Sequence, residues 1–126
     1  MPDQATGLLK ITTEQFSALE SLFFHIGGVS YDCPPRSSIV FFLTNLSKTT
    51  FEFTANAQIW PRQFNSVIGG DAASVYLIVA DIKTNSGAGL DFVNGYTFLQ
   101  RFYSVYDTAN ARVGIATTPY TDATTN

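Results

Sequence analysis

Few side chains in this sequence could do chemistry. His25 is the only imidazole and Cys33 the only thiol among 126 residues. An imidazole can accept or release a proton near neutral pH. A thiol becomes a nucleophile when a neighbouring cation or imidazole lowers its pKa. Neither residue has such help from its sequence neighbours. His25 lies between Phe24 and Ile26 in an alternating stretch, which reads as a surface or hairpin-edge position. Cys33 follows Asp32 and precedes Pro34-Pro35, with no His or Lys close by, which reads as a free thiol in a loop. A single Cys excludes an intrachain disulfide framework and a Cys-based zinc site, and a single His excludes a paired-His metal motif. Asn45-Leu46-Ser47 is an N-glycosylation sequon, of consequence only in a chain that enters the secretory route.

Composition narrows the classes further. Lys and Arg number 7 against 10 Asp and Glu, a formal charge of −3, so there is no basic face for phosphates and no nucleic-acid partner is expected. Only 13% of residues are charged while 14% are aromatic, which argues for a packed core and against disorder. Apolar runs such as Ile39 to Leu43 fall far short of the ~20 residues that span a bilayer, so no membrane partner is expected. Met1 to Gly7 has neither a positive stretch nor an apolar one, and reads as a start without a signal peptide.

The elements that must carry these residues are mostly strands. Leu8, Leu9 and Ile11 suggest a short strand. Thr12 with Gln15 is a capping-box pattern, and Phe16, Leu19, Leu22 and Phe23 then recur at helical spacing, predicting a helix over 12–23. At Leu22 the period changes to 2, with Leu22, Phe24 and Ile26 on one face and Phe23 and His25 on the other. Gly27-Gly28 supplies the positive φ angles of a hairpin turn, and Val29-Ser30-Tyr31 begins a return strand. Cys33-Pro34-Pro35-Arg36-Ser37-Ser38 breaks it. Phe51-Glu52-Phe53-Thr54 alternates again. Gly69-Gly70 marks a turn, Val75 to Ala80 a strand buried on both faces, and Leu90, Phe92 and Val93 another short strand. Tyr96 to Arg101 predicts one or two helical turns. Phe102 to Tyr106 and Arg112 to Ala116 predict two strands joined by a turn at 107–111. The tail from Thr117 is polar and expected to fray. Trp60 and the Tyr and Phe residues are expected mostly in the core. The class is mostly β, with antiparallel sheets and two short helices.

The last third carries a resemblance. From Leu90-Asp91-Phe92-Val93-Asn94-Gly95 through Tyr96-Thr97-Phe98-Leu99 to Val105-Tyr106-Asp107 and Asn110-Ala111-Arg112-Val113-Gly114-Ile115-Ala116, it resembles the C-terminal end of pepsin-like aspartic endopeptidases. Leu22 to Tyr31 is similar to that family's hairpin, and Asn56-Ala57-Gln58-Ile59-Trp60-Pro61 to the segment after that hairpin, most closely in secreted fungal members. The resemblance covers residues 4–31 and 51–118. It implies a partial C-terminal lobe of the pepsin-like acid protease fold over 1–118, interrupted by an insertion at 33–50, with a polar tail at 119–126.

It also implies an enzyme that hydrolyses peptide bonds at acidic pH, extracellular in the family, with a peptide or protein as substrate and no cofactor or metal. Two carboxylates, one from each of two Asp-Thr/Ser-Gly loops, share a proton and activate water; like charges ~3 Å apart cannot both ionise, which separates their pKa values. Neither motif occurs in this sequence. Val105-Tyr106-Asp107-Thr108-Ala109 is a local look-alike with Ala in place of Gly, but its register is that of the family's terminal hairpin, so Asp107 reads as an Asx-type turn residue. No catalytic, cofactor-binding or metal-binding residue is therefore assigned. Residues around Gly70 to Ile78 correspond to part of the cleft wall that receives the leaving half of the substrate.

Two departures stand out against the family. Asn94-Gly95 replaces Gly-Asp and adds bulk beside the active-site loop. Residues 33–50 interrupt a strand that Val29-Ser30-Tyr31 and Glu52-Phe53-Thr54 would otherwise continue, as an unspliced segment would. The expected function is that of an inactive fragment of an aspartic endopeptidase. The alternatives are a non-enzymatic β module that pairs with another chain, or a truncated gene product without a role of its own. Exposed strand edges open the chain to homodimer formation or aggregation.

Overall fold

The computed structural model describes residues 2–26, 49–85, 88–90 and 92–126. The Gly27-Gly28 turn, the return strand from Val29, the Cys33–Ser38 breakers, the Ile39–Leu43 run and the Asn45 sequon lie outside these residues. In chain order the elements are β1 (Leu9–Ile11), α1 (Thr13–Ser17), β2 (Leu22–Ile26), β3 (Thr49–Phe53), β4 (Val75–Leu77), α2 (Tyr96–Leu99), β5 (Phe102–Asp107) and β6 (Arg112–Thr117). The strands pair antiparallel as β1–β4, β2–β3 and β5–β6. Short 3-10 segments over Asn56–Gln58, Arg62–Ile68 and Thr108–Asn110 connect them.

The capping box forms as its spacing requires. The Gln15 amide donates to Thr12 Oγ1 at 3.1 Å, and the Thr12 amide donates to Gln15 Oε1 at 2.8 Å. The helix, however, ends at Ser17 rather than running on to Phe23. The Ala18 and Leu19 amides close it on Glu14 and Phe16 carbonyls. Leu22 and Phe23 instead pair across the sheet with Phe53 and Glu52. The spacings of three from Phe16 to Leu19 to Leu22 mimic a helical face, but the period-2 run beginning at Leu22 takes those residues into a sheet.

β2 and β3 pair in the register Leu22↔Phe53 through Ile26↔Thr49. Thr49 and Thr50, the last two residues of the 33–50 stretch, therefore belong to β3. Alternation buries Phe51 and Phe53 and leaves Glu52 outside, where Ser21 Oγ donates to its carboxylate at 2.7 Å. Ile26, Phe51, Phe53, Ala57, Phe98 and Phe102 form the core cluster. Phe98 is central to it, with ring centroids 4.5 Å from Phe102, 5.3 Å from Phe24 and 6.0 Å from Phe53. The Asn56 to Pro61 motif is fixed to this sheet by Gln58, whose Nε2 donates to the Glu20 and Phe53 carbonyls at 2.8 and 3.1 Å.

β4 is held between β1 and the Gln58–Trp60 stretch. The Trp60 amide donates to Tyr76 O at 2.8 Å and the Ile78 amide to Gln58 O at 2.9 Å. The loop feeding β4 needs both of its glycines. Gly69 caps the 3-10 segment at φ 73°, in the left-handed region. At Gly70 a Cβ would sit 2.8 Å from the Tyr76 ring. Tyr76 is buried, and its hydroxyl accepts the Asp71 amide at 2.9 Å. Buried Asn65 closes the loop, with Nδ2 donating to the Asp71 and Ser74 carbonyls at 2.7 and 2.8 Å.

Asp71 gives this loop a pH dependence. Its carboxylate accepts the Ala73 amide and the Ser74 hydroxyl, and lies 3.6 Å from Lys10 Nζ on β1. These bonds, the Ala73 amide first, hold its carboxyl below the ordinary aspartate range. A depressed folded-state pKa contributes stability above the unfolded value, about 3.9, and that contribution disappears as pH falls through the folded value. Asp71→Asn is therefore expected to lower the urea midpoint near neutral pH. The gap between variant and parent should narrow as pH falls below the unfolded value and close once wild-type Asp71 is protonated in the folded state. The group is exposed, so the effect is small; an equal gap at both pH values would rule this account out.

Three further expectations are corrected by the structure. The Val75 to Ala80 run forms a ladder only to Leu77; Ile78 is half-buried, and Val79 and Ala80 are exposed rather than sheathed on both faces. Among the described residues, Leu90, Phe92 and Val93 form no strand. In both places the strand-like side chains are present, but no described strand offers the ladder a strand requires. The stretch after Thr117 does not fray. Thr118 and Thr121 hydroxyls donate to Arg101 O at 3.1 and 2.7 Å, the Arg101 guanidinium donates to the Tyr120 and Ala123 carbonyls, and Asn126 Nδ2 donates to Asn56 O at 2.9 Å. Polar residues stay ordered when polar partners await them, and Arg101 supplies both kinds of group from a buried position.

Candidate functional site

A concavity lies beside the core. β2 contributes Leu22 and Phe24 and β3 contributes Phe53 to one wall; residues 78–82 and 92–98 supply the others. It is an open groove of about 500 Å³. Phe92 packs on Phe24 with centroids 5.5 Å apart. Val79, Ile82 and Val93 remain exposed on its rim, Val93 by 64%. Among the described residues, no backbone hydrogen bond is made by residues 79–82 or 92–94. Asn94 is one of the lining residues; its Nδ2 is closed off from solvent and has no hydrogen-bond partner among the described residues.

Among the described residues one carboxylate lines the groove, Asp81, whose Oδ1 accepts the Lys83 amide at 2.7 Å. A single carboxylate cannot share a proton with a second, so the described lining of the groove contains no carboxylate pair. Asp81 and Asn94 were not singled out as site residues on the sequence. Asn94 carried a signal nonetheless, since it stands where the resembling family has Gly.

The residues weighed on the sequence lie elsewhere. His25 is exposed on β2, with Nδ1 3.0 Å from Thr50 Oγ1 across the strand pair. Cys33 falls outside the described residues. Asp107 ends β5, and its carboxylate turns back into the hairpin, accepting the Asn110 amide at 3.2 Å and Asn110 Nδ2 at 2.8 Å. Ala111 then adopts the left-handed conformation at φ 50° and leads into β6. This is an Asx-type turn. Tyr96, Tyr103, Tyr106 and Tyr120 are exposed rather than in the core, because nothing in the described chain covers the outer faces of α2 and the β5–β6 hairpin. No cluster of three or more His, Cys, Asp or Glu able to hold a metal ion occurs among the described residues, and no helix there is long and apolar enough to cross a membrane.

No family model matches the sequence. The chain is 56% identical over 124 residues to polyporopepsin of Irpex lacteus, a match covering 98% of this chain. The crystal structure of the aspartic proteinase from Irpex lacteus superposes on the whole chain with a TM-score of 0.80 at 55% identity. The chain belongs to the pepsin-like aspartic proteinase family. It spans 31% of the length of polyporopepsin and the same share of the crystallised proteinase. The mostly β fold of short strands and two short helices is thus a part of the aspartic proteinase fold. The groove and the uncovered β5–β6 hairpin are features of that part, and the unpaired segments at 79–82 and 92–94 border the groove.

Proposed function

We propose that this chain supplies scaffold from the C-terminal lobe of an aspartic endopeptidase and does not cleave peptide bonds by itself. Residues 1–118 form the partial lobe, with 33–50 as an insertion and 119–126 packing against it. One observation carries this reading. No Asp-Thr/Ser-Gly motif occurs in the 126 residues, and the Asp107-Thr108-Ala109 look-alike commits its carboxylate to the turn. Water activation on a peptide carbonyl needs the carboxylate pair. In a full-length member, the lobe would help to hold a peptide or protein substrate at acidic pH outside the cell, with the Gly70 to Ile78 stretch in the cleft wall on the leaving-group side.

The test is hydrolysis of a denatured protein substrate by the purified chain at acidic pH, with and without pepstatin. Loss of an essential catalytic group costs on the order of 10⁶ in rate, so cleavage is expected at the level of buffer alone. Pepstatin-sensitive cleavage would refute the reading. A second reading, a non-enzymatic module that pairs with another chain, is favoured by the exposed Tyr103, Val105 and Tyr106 on β5. Sedimentation over a range of concentrations separates the two, since a strict monomer would count against pairing with a second copy.

A further inference from the structure

We propose that Asn94-Gly95 is a self-modifying site: the Gly95 backbone nitrogen attacks the Asn94 side chain, expels ammonia and, after hydrolysis, leaves a carboxylate at residue 94. This goes beyond the scaffold reading and does not depend on it. The reaction needs only water, and its first step is unimolecular because nucleophile and carbonyl are neighbours in one chain. Gly95 N bonds to Asn94 Cγ, the Cγ–Nδ2 bond breaks, and the proton from Gly95 N leaves with Nδ2 as ammonia. A cyclic imide results, and water opens it on either side. Cleavage of the new N–Cγ bond gives aspartate. Cleavage at the former peptide carbonyl gives isoaspartate, with the chain running through the side chain. Nothing is oxidised or reduced.

Three observations select this asparagine. Gly95 has no side chain to limit the backbone rotation that brings its nitrogen to Cγ. It is exposed, and no atom lies within 4 Å of where a Cβ would sit. The backbone here is also unpinned, since among the described residues neither 92–94 nor the Gly95 amide makes a backbone hydrogen bond. Finally, nothing described holds Asn94 Nδ2. That atom is closed off from solvent, but the attacking nitrogen comes from the next residue, and water reaches the pair at exposed Gly95. Other asparagines are tied down: Asn56 Nδ2 donates to Asn126 O, Asn65 Nδ2 to the Asp71 and Ser74 carbonyls, and Asn110 Nδ2 to Asp107. Residues with side chains follow them, Ala57, Ser66 and Ala111, and Ser86 follows Asn85.

Either product adds a carboxylate to a described lining in which Asp81 supplies the one present. Isoaspartate also lengthens the backbone just ahead of Gly95, whose carbonyl accepts the Phe98 and Leu99 amides at 3.1 and 3.0 Å. The change therefore falls at the entry to α2.

The experiment holds the purified chain in mildly alkaline buffer, folded or in denaturant, and follows it by mass spectrometry. The tryptic peptide that follows Lys83 and ends at Arg101 contains both Asn85 and Asn94. Fragmentation separates acid at one from acid at the other, and an undelayed sample subtracts what digestion itself produces. Isoaspartate is read by enzymatic carboxyl methylation. In the folded chain, acid is expected at 94 about tenfold faster than at Asn56, Asn65 or Asn110, and within about tenfold of its rate in denaturant. Gly95→Ala suits the described backbone, because φ is −86° and the new Cβ meets no atom within 4 Å. It should slow the reaction about tenfold or more. A folded-state rate more than about tenfold below that in denaturant would show that the fold protects Asn94, and would overturn the proposal. So would a parental rate in Gly95→Ala, or acid appearing as fast at Asn65 as at Asn94.

Discussion

Phe98→Ala is expected to remove about 3–5 kcal/mol of stability, the usual cost of deleting a buried phenylalanine ring. Phe98 is 3% exposed and touches three rings from three directions: Phe24 on β2, Phe53 on β3 and Phe102 on β5. It also sits on α2, a four-residue helix that no isolated peptide would form. Its ring therefore does two things at once, filling the core and pinning α2, and with α2 the entry to β5. A small domain has about 5–15 kcal/mol in total, so the variant should lose about a fifth or more of its stability and expose apolar surface. Urea unfolding followed by circular dichroism measures this. If the alanine variant is unfolded at the outset, Phe98→Leu keeps the protein measurable, with an expected loss of about 1–2 kcal/mol. A loss below about 1 kcal/mol for Phe98→Ala would mean that the core is centred elsewhere.

How much of this arrangement the residues announce depends on the range of the interaction. Signals local to a few residues read correctly. Thr12 and Gln15 cap α1, Asp107 makes its turn with Asn110, and Gly69-Gly70 turn the chain into β4. The β5–β6 hairpin is legible because both strands and their turn lie within sixteen residues, 102–117. Failures occur where the deciding partner is distant. Phe16, Leu19 and Leu22 share a helical spacing, but Leu22 answers to Phe53. Ile78-Val79 and Phe92-Val93 are strands by composition and lack ladders among the described residues, since a strand is completed by what lies beside it.

The tail shows the same dependence from the polar side. Its order comes from Arg101 and Asn56, far back in the sequence, which no composition rule anticipates. The groove was invisible for the same reason: it is assembled from β2, β3 and two connecting segments. Only Asn94, through its departure from Gly, marked the place. The exposed tyrosines belong with these cases. Tyr103 and Tyr106 are apolar enough to be placed in a core, and whether a core covers them depends on chain beyond the β5–β6 hairpin.

Deleting residues 29–48 is expected to stabilise the chain and leave the described fold intact. The β2–β3 ladder ends at Ile26↔Thr49, so residues 27–48 form the connection, 22 in all. Removing 29–48 leaves Gly27-Gly28 as a two-residue loop, the length and composition that tight hairpins favour. Closing a loop of 2 instead of 22 residues relieves about 2 kcal/mol of entropy on the logarithmic scaling, a rise in unfolding midpoint on the order of 10 °C for a chain of this size. A second deletion sharpens the test. Val29-Ser30-Tyr31-Asp32 parallels Thr49-Thr50-Phe51-Glu52 position by position: β-branched, hydroxyl, aromatic, acid. Deleting 33–52 leaves the same Gly-Gly loop but puts Tyr31 in the place of Phe51, which is 3% exposed and packs edge-on to Phe102 at 5.5 Å. A hydroxyl buried there without a partner costs about 1–3 kcal/mol. The 29–48 deletion should therefore be the more stable of the two, and 33–52 should recover when Tyr31→Phe is added. Equal stabilities would show that β2 tolerates either tetrapeptide without regard to the core. A fall in midpoint for both would show that the connecting segment holds the strands together.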